Sequence, residues 1–123
     1  MDWDGAVNAW HVAGGVYRMG RREWLTEEGW RQAYDAGIRT VVDLRNAAEA
    51  RRRETDPVVP AAALHGMEVV AAPTEEAHHA QFAALTGPYL NDPAYYPDNA
   101  RLFPHRLVAV FRAFADAADR GNV

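Results

Sequence analysis

An acidic and a basic residue, Asp43 and Arg45, stand at the end of the β-branched run "IRTVVDLR", Ile38–Arg45. In an α/β sheet, ligands bind outside the carboxyl ends of the strands, so this pair is a candidate for binding an anion or positioning an anion-binding loop. The other interpretation is a local ion pair with a capping contact. The sequence leaves both interpretations open.

The sequence has no sulfur nucleophile and no recognisable spacing of metal ligands. The chain contains no cysteine, which excludes disulfides, thiolate nucleophiles and cysteine-bound metals within these residues. His78 and His79 are adjacent, but no His-x-x-x-His or Glu-x-x-His spacing on a helix accompanies them. The sequence therefore predicts neither a metal site nor a cofactor.

Composition limits the class of protein and its partners. A chain of 123 residues is typical of one globular domain, here 1–123, that buries roughly 65% of its unfolded surface. The net charge of −4 argues against a nucleic-acid partner, and the run Arg51–Arg53 is expected to be a solvated face. No apolar run approaches the ~20 residues of a membrane span and no signal peptide is visible, so we expect a cytoplasmic protein.

Capping signals and periodicity indicate the elements that would position Asp43 and Arg45. Gly14–Arg18 is expected to be a turn that leads into a short strand. Thr26 is a predicted N-cap of a first helix, which Gly37 would end. The run that contains Asp43 then follows as a buried strand.

The middle of the chain is expected to alternate helix and strand. Asn46 and Glu49 form a capping-box pattern that predicts a second helix. Met67–Pro73 is predicted to be a strand, followed by a loop and a short helix that includes Phe82. The Pro-, Tyr- and Asp-rich stretch Gly87–Pro104 is expected to be one long loop.

The last helix is predicted to begin at Pro104 and to end before Gly121. Its apolar stripe is expected to comprise Leu107, Phe111, Phe114 and Ala118. This order of elements predicts an α/β fold, in which an amphipathic helix is followed by another parallel strand. We therefore expect a core strand that begins at about Val123, and a fold that is incomplete at its C-terminal side.

Two stretches of the sequence carry a family pattern. "GGVYRMG", Gly14–Gly20, precedes "LTEEGWRQAYDAGIRTVVDLRNAAEARR", Leu25–Arg52. Together they resemble the N-terminal half of the bacterial tyrosine-phosphatase-like family of Cys-dependent protein-tyrosine and dual-specificity phosphatases, which also act on phosphoinositides. The family pattern reads L-Y-R-S, then L-T-x-x-G, then G-[IV]-x-T-[VI]-[VI]-D-L-R-[SN]-x-x-E.

The resemblance implies a three-layer fold with a mostly parallel central sheet flanked by helices. It also implies attack on a phosphate monoester by a Cys thiolate, with a general acid that protonates the leaving oxygen. By position the general acid is Glu75, with Asp92 and Asp98 as alternatives. Arg18 matches the arginine of L-Y-R-S and is expected to face the substrate together with Asp43 and Arg45, although an exposed edge-strand arginine is the simpler interpretation.

The chain departs from the family pattern at two places. Trp10 and His11 stand where the family has Arg and Asp, and the catalytic loop H-C-x-x-G-[KR]-D-R-T-G is absent. By alignment of the preceding elements, Val123 lies a few residues short of that loop. We therefore expect the chain alone to be inactive.

The resemblance also implies partners. In a full-length form the substrate would be a phosphorylated protein or a phosphoinositide. The alternative is a non-catalytic pseudophosphatase fragment that acts as a protein-interaction module. It would associate with itself or pair with a chain that carries the missing strand, since an unpaired sheet edge invites association.

Overall fold

The computed structural model describes residues 1–89 and 92–123. Within these ranges no helix is long and apolar enough to cross a membrane. The described residues form a mixed α/β structure with two small sheets and four α-helices. In chain order the elements are β1 (Trp10–Ala13), β2 (Val16–Arg18), α1 (Glu27–Asp35), β3 (Thr40–Asp43), β4 (Glu68–Ala71), α2 (Ala80–Thr86), α3 (Tyr96–Leu102) and α4 (Pro104–Ala118).

Helix α1 forms as its capping residues predict. The Thr26 hydroxyl accepts a hydrogen bond from the Gly29 amide at 3.1 Å, and Gly37 ends the helix with a φ of 89°. Trp30 and Ala33 are buried on the inner face of the helix. They form the main core with Trp3, Leu25 and Ile38.

The two sheets differ in strand direction. Strand β3 pairs with β4 in parallel, in a register that runs from Thr40 opposite Glu68 to Asp43 opposite Ala71. Strands β1 and β2 form an antiparallel hairpin whose turn contains Gly14, with a φ of 53°. The predicted strands that became β2, β3 and β4 are confirmed, and β1 was not predicted.

The predicted helix after Asn46 is wrong, although its capping contacts form. The Asn46 side chain accepts from the Glu49 amide, and the Glu49 carboxylate accepts from the Asn46 amide, both at 3.1 Å. The chain then leaves the helical path because the Asp56 carboxylate accepts from the Arg53 amide at 2.7 Å. Residues 47–50 therefore form only a turn, after which the chain continues toward Asp56.

The predicted long loop Gly87–Pro104 is also wrong. It contains short 3₁₀ turns and helix α3, which carries a proline in its first turn. The rings of Phe82 and Phe103 lie 5.4 Å apart, and the rings of Phe82 and Tyr95 lie 6.4 Å apart. Thr86 and Asn99 are buried beside them. Helices α2 and α3 and Phe103 thus form a helical cluster with an aromatic core of its own.

Helix α4 begins at Pro104 as predicted, but its apolar stripe is only partly as predicted. Phe111 is 71% exposed, whereas Ala117 is fully buried. The inner face of α4 instead carries Val110, Phe114 and Ala117. Val110 and Ala117 each lie one residue before a position of the predicted stripe, Phe111 and Ala118. Phe111 and Ala118 were therefore wrongly assigned to the core.

Gly29 is the position in α1 where a side chain has no room. A Cβ atom there would lie 2.1 Å from the Asp4 carbonyl oxygen. We expect Gly29→Ala to lower the free energy of unfolding by about 3 kcal/mol, because the backbone near Asp4 must move. Urea unfolding followed by circular dichroism measures this loss. Gly87→Ala is the matched control, because Gly87 has helical dihedral angles and, among the described residues outside its own helical segment, no atom lies within 4 Å of an added Cβ. An equal loss in both variants would contradict the steric explanation.

Candidate functional site

Asn122 and Val123 hydrogen-bond on one side to β2 and the turn before it, and on the other side to the residues just before β3. The Val123 amide donates to the Gly15 carbonyl at 2.9 Å, and the Val123 carbonyl accepts from the Tyr17 amide at 2.7 Å. On the other side, the Asn122 amide donates to Gly37 and the Asn122 carbonyl accepts from Arg39. Asn122 thereby forms a parallel bridge with Ile38. The predicted strand direction at Val123 agrees with this pairing.

A cavity of about 430 Å³, called here the β2–β3 slot, lies between these two strands. Leu25, Trp30, Val110 and Phe114 give it an apolar lining. Three of the predicted site residues also line it: Arg18 from β2, and Asp43 and Arg45 from the carboxyl end of β3. The structure therefore brings these three residues to one site.

Arg45 is held between two carboxylates. Its Nε and Nη2 donate to the two oxygens of Asp43 at 2.8 and 2.6 Å, and its Nη1 and Nη2 donate to Glu23 at 3.1 and 3.0 Å. Nη1 also donates to the Glu49 carbonyl at 3.3 Å. These bonds use the donor capacity of the guanidinium. Arg45 is therefore suited to positioning the site rather than to binding a substrate directly.

Asp43 is buried and accepts hydrogen bonds from two arginines. Besides the Arg45 fork, it accepts from the Arg45 amide at 3.1 Å and from Arg22 Nε at 3.3 Å. Burial disfavours the charged carboxylate, but the hydrogen bonds and charge of Arg45, with the bond from Arg22, outweigh burial and lower the pKa of Asp43. Asp43 is therefore an ionised, fixed acceptor at neutral pH.

Arg21 extends this set of ion pairs away from β3. Its Nη2 donates to Asp56 at 2.9 Å, and it lies 3.8 Å from Glu23. We call the whole set the charge frame; its members are Arg21, Arg22, Glu23, Asp43, Arg45 and Asp56. Arg21, Arg22, Glu23 and Asp56 were not predicted as site residues. The signal that could have identified three of them is the charged triplet that begins three residues after Arg18.

Arg18 differs from the other arginines of the slot. Its side chain is exposed, and among the described residues it is the one slot-lining arginine that makes no ion pair. A guanidinium in this state retains its donors for a bound anion. Of the predicted substrate-binding residues, Arg18 is the best placed to contact a phosphate.

Glu75 lies on the loop after β4 and does not line the slot. The loop runs beside the end of β3, because the Thr74 amide donates to the Leu44 carbonyl at 3.2 Å. Burial and the nearby charge of Glu49 raise the pKa of Glu75, against an opposing hydrogen bond from Tyr95. Glu75 thus has the chemical character of a general acid.

The two alternatives to Glu75 have local structural contacts. Asp92 accepts a hydrogen bond from the Ala94 amide at 2.9 Å and caps a 3₁₀ turn. Asp98 pairs with Arg101 one turn along α3. A structural role therefore explains each aspartate: Asp92 caps a turn, and Asp98 forms a surface ion pair.

We expect Glu75→Gln to raise the free energy of unfolding more at pH 7 than at pH 4. A raised folded-state pKa means that the wild-type residue favours folding below the ordinary glutamate pKa and loses this contribution as the pH rises. Glutamine avoids this loss. Urea unfolding at both pH values measures the difference. An effect that is equal at pH 4 and pH 7 would show that the carboxyl group is not perturbed.

The comparisons agree with the resemblance drawn from the sequence. The model described as "Tyrosine phosphatase family" matches residues 7–121. This range includes both strands beside the slot and all six residues of the charge frame. No curated protein and no solved structure matches the chain. Because the match covers nearly all of the chain, this protein belongs to the tyrosine phosphatase family.

Proposed function

We propose that this chain is the N-terminal portion of a single phosphatase domain that hydrolyses phosphate monoesters. The observation that carries the proposal is the charge frame at the carboxyl end of β3, beside the β2–β3 slot, in a chain of the tyrosine phosphatase family. The chain has no cysteine, so the nucleophilic thiolate comes from outside these 123 residues. Alone, the chain is inactive.

Each site residue has a role in this proposal. Asp43 and Arg45 form a rigid support beside the loop that carries the thiolate, because their mutual hydrogen bonds fix both side chains. Arg18 contacts the phosphate oxygens, and Glu75 protonates the leaving oxygen. The thiolate displaces that oxygen from phosphorus, and water then hydrolyses the phosphocysteine. No metal or cofactor takes part.

We also propose a three-layer fold with one mostly parallel central sheet. A strand in the slot would join the two sheets into one, in which β2, the added strand, β3 and β4 are parallel and β1 is antiparallel. Helices on both faces would complete three layers. The substrate class is a phosphorylated protein, on tyrosine or with dual specificity, or a phosphoinositide, and the compartment is the cytoplasm.

Reading the coding DNA immediately after the Val123 codon tests the proposal. We expect an in-frame His-Cys within a few codons, and a polypeptide that includes it should hydrolyse p-nitrophenyl phosphate. The same polypeptide with its Cys replaced by Ser is the control and should be inactive. Clear turnover by the 123-residue chain itself, or an inactive longer product, would contradict the proposal.

A second candidate function is a non-catalytic interaction module. It is favoured by the exposed apolar side chains of α4, where Phe111 is 71% and Val108 is 47% exposed. Such a surface is typical of association sites. Sedimentation of the pure chain distinguishes the candidates: a dimer that Phe111→Ser dissociates supports the module, and a monomer contradicts self-association.

A further inference from the structure

A second, smaller cavity of about 190 Å³ borders the charge frame. Arg22, Leu25 and Trp30 line both this cavity and the β2–β3 slot. We call it the Arg52 pocket; its other lining residues are Glu23, Ala50, Arg52, Pro57, Val59 and Leu64. Sites for drug-sized ligands begin at about 300 Å³, so the pocket suits a single side chain or a small ion.

Two arginines of the pocket are held in place and keep unused donors. Arg22 Nε donates to Asp43 at 3.3 Å, and Arg52 Nη2 donates to the Asp56 and Pro57 carbonyls at 3.3 and 3.0 Å. Among the described residues, Nη1 of Arg22 and both Nε and Nη1 of Arg52 donate to no acceptor. A guanidinium fixed in this way presents its remaining donors in a constant geometry, which suits the two oxygens of a carboxylate.

Glu23 also lines the pocket, but its charge is already balanced. Its oxygens accept from Arg45 at 3.0 and 3.1 Å, and they lie 3.6 and 3.8 Å from Arg22 and Arg21. Together with Arg52, the charge frame contains four arginines against three carboxylates. The surroundings of the pocket are therefore net positive and attract an anion.

The apolar part of the lining and the neighbouring arginines indicate which anion fits. Leu25 and Val59 belong to the apolar lining, which a carboxylate on a methylene stem covers and a bare inorganic anion does not. Arg51 and Arg53, on either side of Arg52, are exposed and form no ion pair among the described residues. They extend the positive charge beyond the pocket, which favours a run of acidic residues over a single small anion.

We propose that the Arg52 pocket binds a glutamate or aspartate side chain of an acidic peptide segment. The carboxylate accepts from Arg22 and Arg52, and its methylene stem lies against the apolar lining. The inference rests on the proposed function in one respect, since it selects phosphorylated proteins with acidic residues near the modified residue as the substrate class. Its support is separate, because it depends on the cavity, the unused donors and the net charge around them.

NMR titration of the 123-residue chain with acetyl-Glu-Glu-Glu-amide tests the proposal, and acetyl-Gln-Gln-Gln-amide is the uncharged control. We expect the glutamate peptide alone to shift the amide signals of Ala50 and Val59 to saturation. Arg52→Gln should weaken this binding at least about threefold. Arg53→Gln is the matched control, because it removes the same charge from the neighbouring position, which does not line the pocket, and it should change the affinity little.

A second variant tests the pocket without changing its charge. Ala50→Leu fills part of the cavity, so we expect it to abolish the saturable shift at Val59 while circular dichroism shows that the chain stays folded. Equal weakening by the two arginine variants, binding that Ala50→Leu leaves unchanged, or no saturable shift in the wild type would overturn the proposal. Glutarate that binds as tightly as the peptide would overturn the choice of a peptide occupant. No hydrolysis is measured, so an inactive longer polypeptide would contradict the proposed function and leave this binding result in place.

Discussion

Replacing Asp43 by Asn should lower the free energy of unfolding by about 3 kcal/mol at pH 7. Asp43 accepts from Nε and Nη2 of Arg45 and from Nε of Arg22, and an amide can supply neither the charge nor the second acceptor oxygen. The variant leaves Arg45 half-buried with Glu23 as its remaining carboxylate partner. Urea unfolding followed by tryptophan fluorescence measures the loss.

The pH dependence of this loss has a definite sign. The pKa of Asp43 is lowered in the folded chain, so its contribution is complete above the ordinary aspartate pKa of about 4 and disappears as the pH falls through the lower folded-state value. The stability difference between wild type and Asp43→Asn should therefore narrow below about pH 4. Asp116→Asn, at an exposed position of α4, is the matched control and should change stability little. A loss below about 1 kcal/mol for Asp43→Asn would indicate an ordinary surface ion pair.

In the longer, cysteine-bearing polypeptide that we propose, Glu75→Gln should reduce kcat by about 100- to 10,000-fold. Glutamine cannot transfer a proton to the leaving oxygen, and no other carboxyl group of that loop shares the burial of Glu75. The adjacent residue provides the control: Glu76 lies on the same loop but pairs with Arg106 at 3.3 Å, so Glu76→Gln should retain most of the activity. Steady-state assays with p-nitrophenyl phosphate compare the three proteins.

A proton-transfer role also predicts the pH profile. Since burial and Glu49 raise the pKa of Glu75, the acid stays protonated to higher pH than an ordinary glutamate, and kcat should fall on the alkaline side as it ionises. Glu75→Gln should abolish this alkaline fall. Equal losses in the Glu75 and Glu76 variants, with the alkaline fall retained, would assign the acid elsewhere.

Local signals were sufficient to predict the elements next to the slot. Thr26 and Gly37 delimit α1 through capping and a positive φ, both of which depend on neighbouring residues. The β-branched run of β3 was recognised for the same reason. Helix α3 was missed because Pro97 and the prolines on either side of the helix suggested a loop, although proline is compatible with the first turn of a helix.

The candidate site was less predictable than the elements. Asp43 and Arg45 were identified because they are close in sequence and end a strand. Their partners Arg22 and Glu23 come from the segment before α1, more than 20 residues away, and only the fold brings the two segments together. The absent helix after Asn46 has the same cause, since Arg21, which is distant in sequence, donates to the Glu49 and Arg51 carbonyls and to Asp56.

The helical cluster stands apart from the main core, because α2 and α3 contact chiefly one another and α4. Its aromatic centre of Phe82 and Phe103 shares no residue with the core around Trp30. Mutations and changes in length can therefore accumulate in this module without disturbing the strands or their arginines. Because Tyr95 packs on this cluster and hydrogen-bonds Glu75, a change in the cluster would reach that carboxyl group while leaving the charge frame in place.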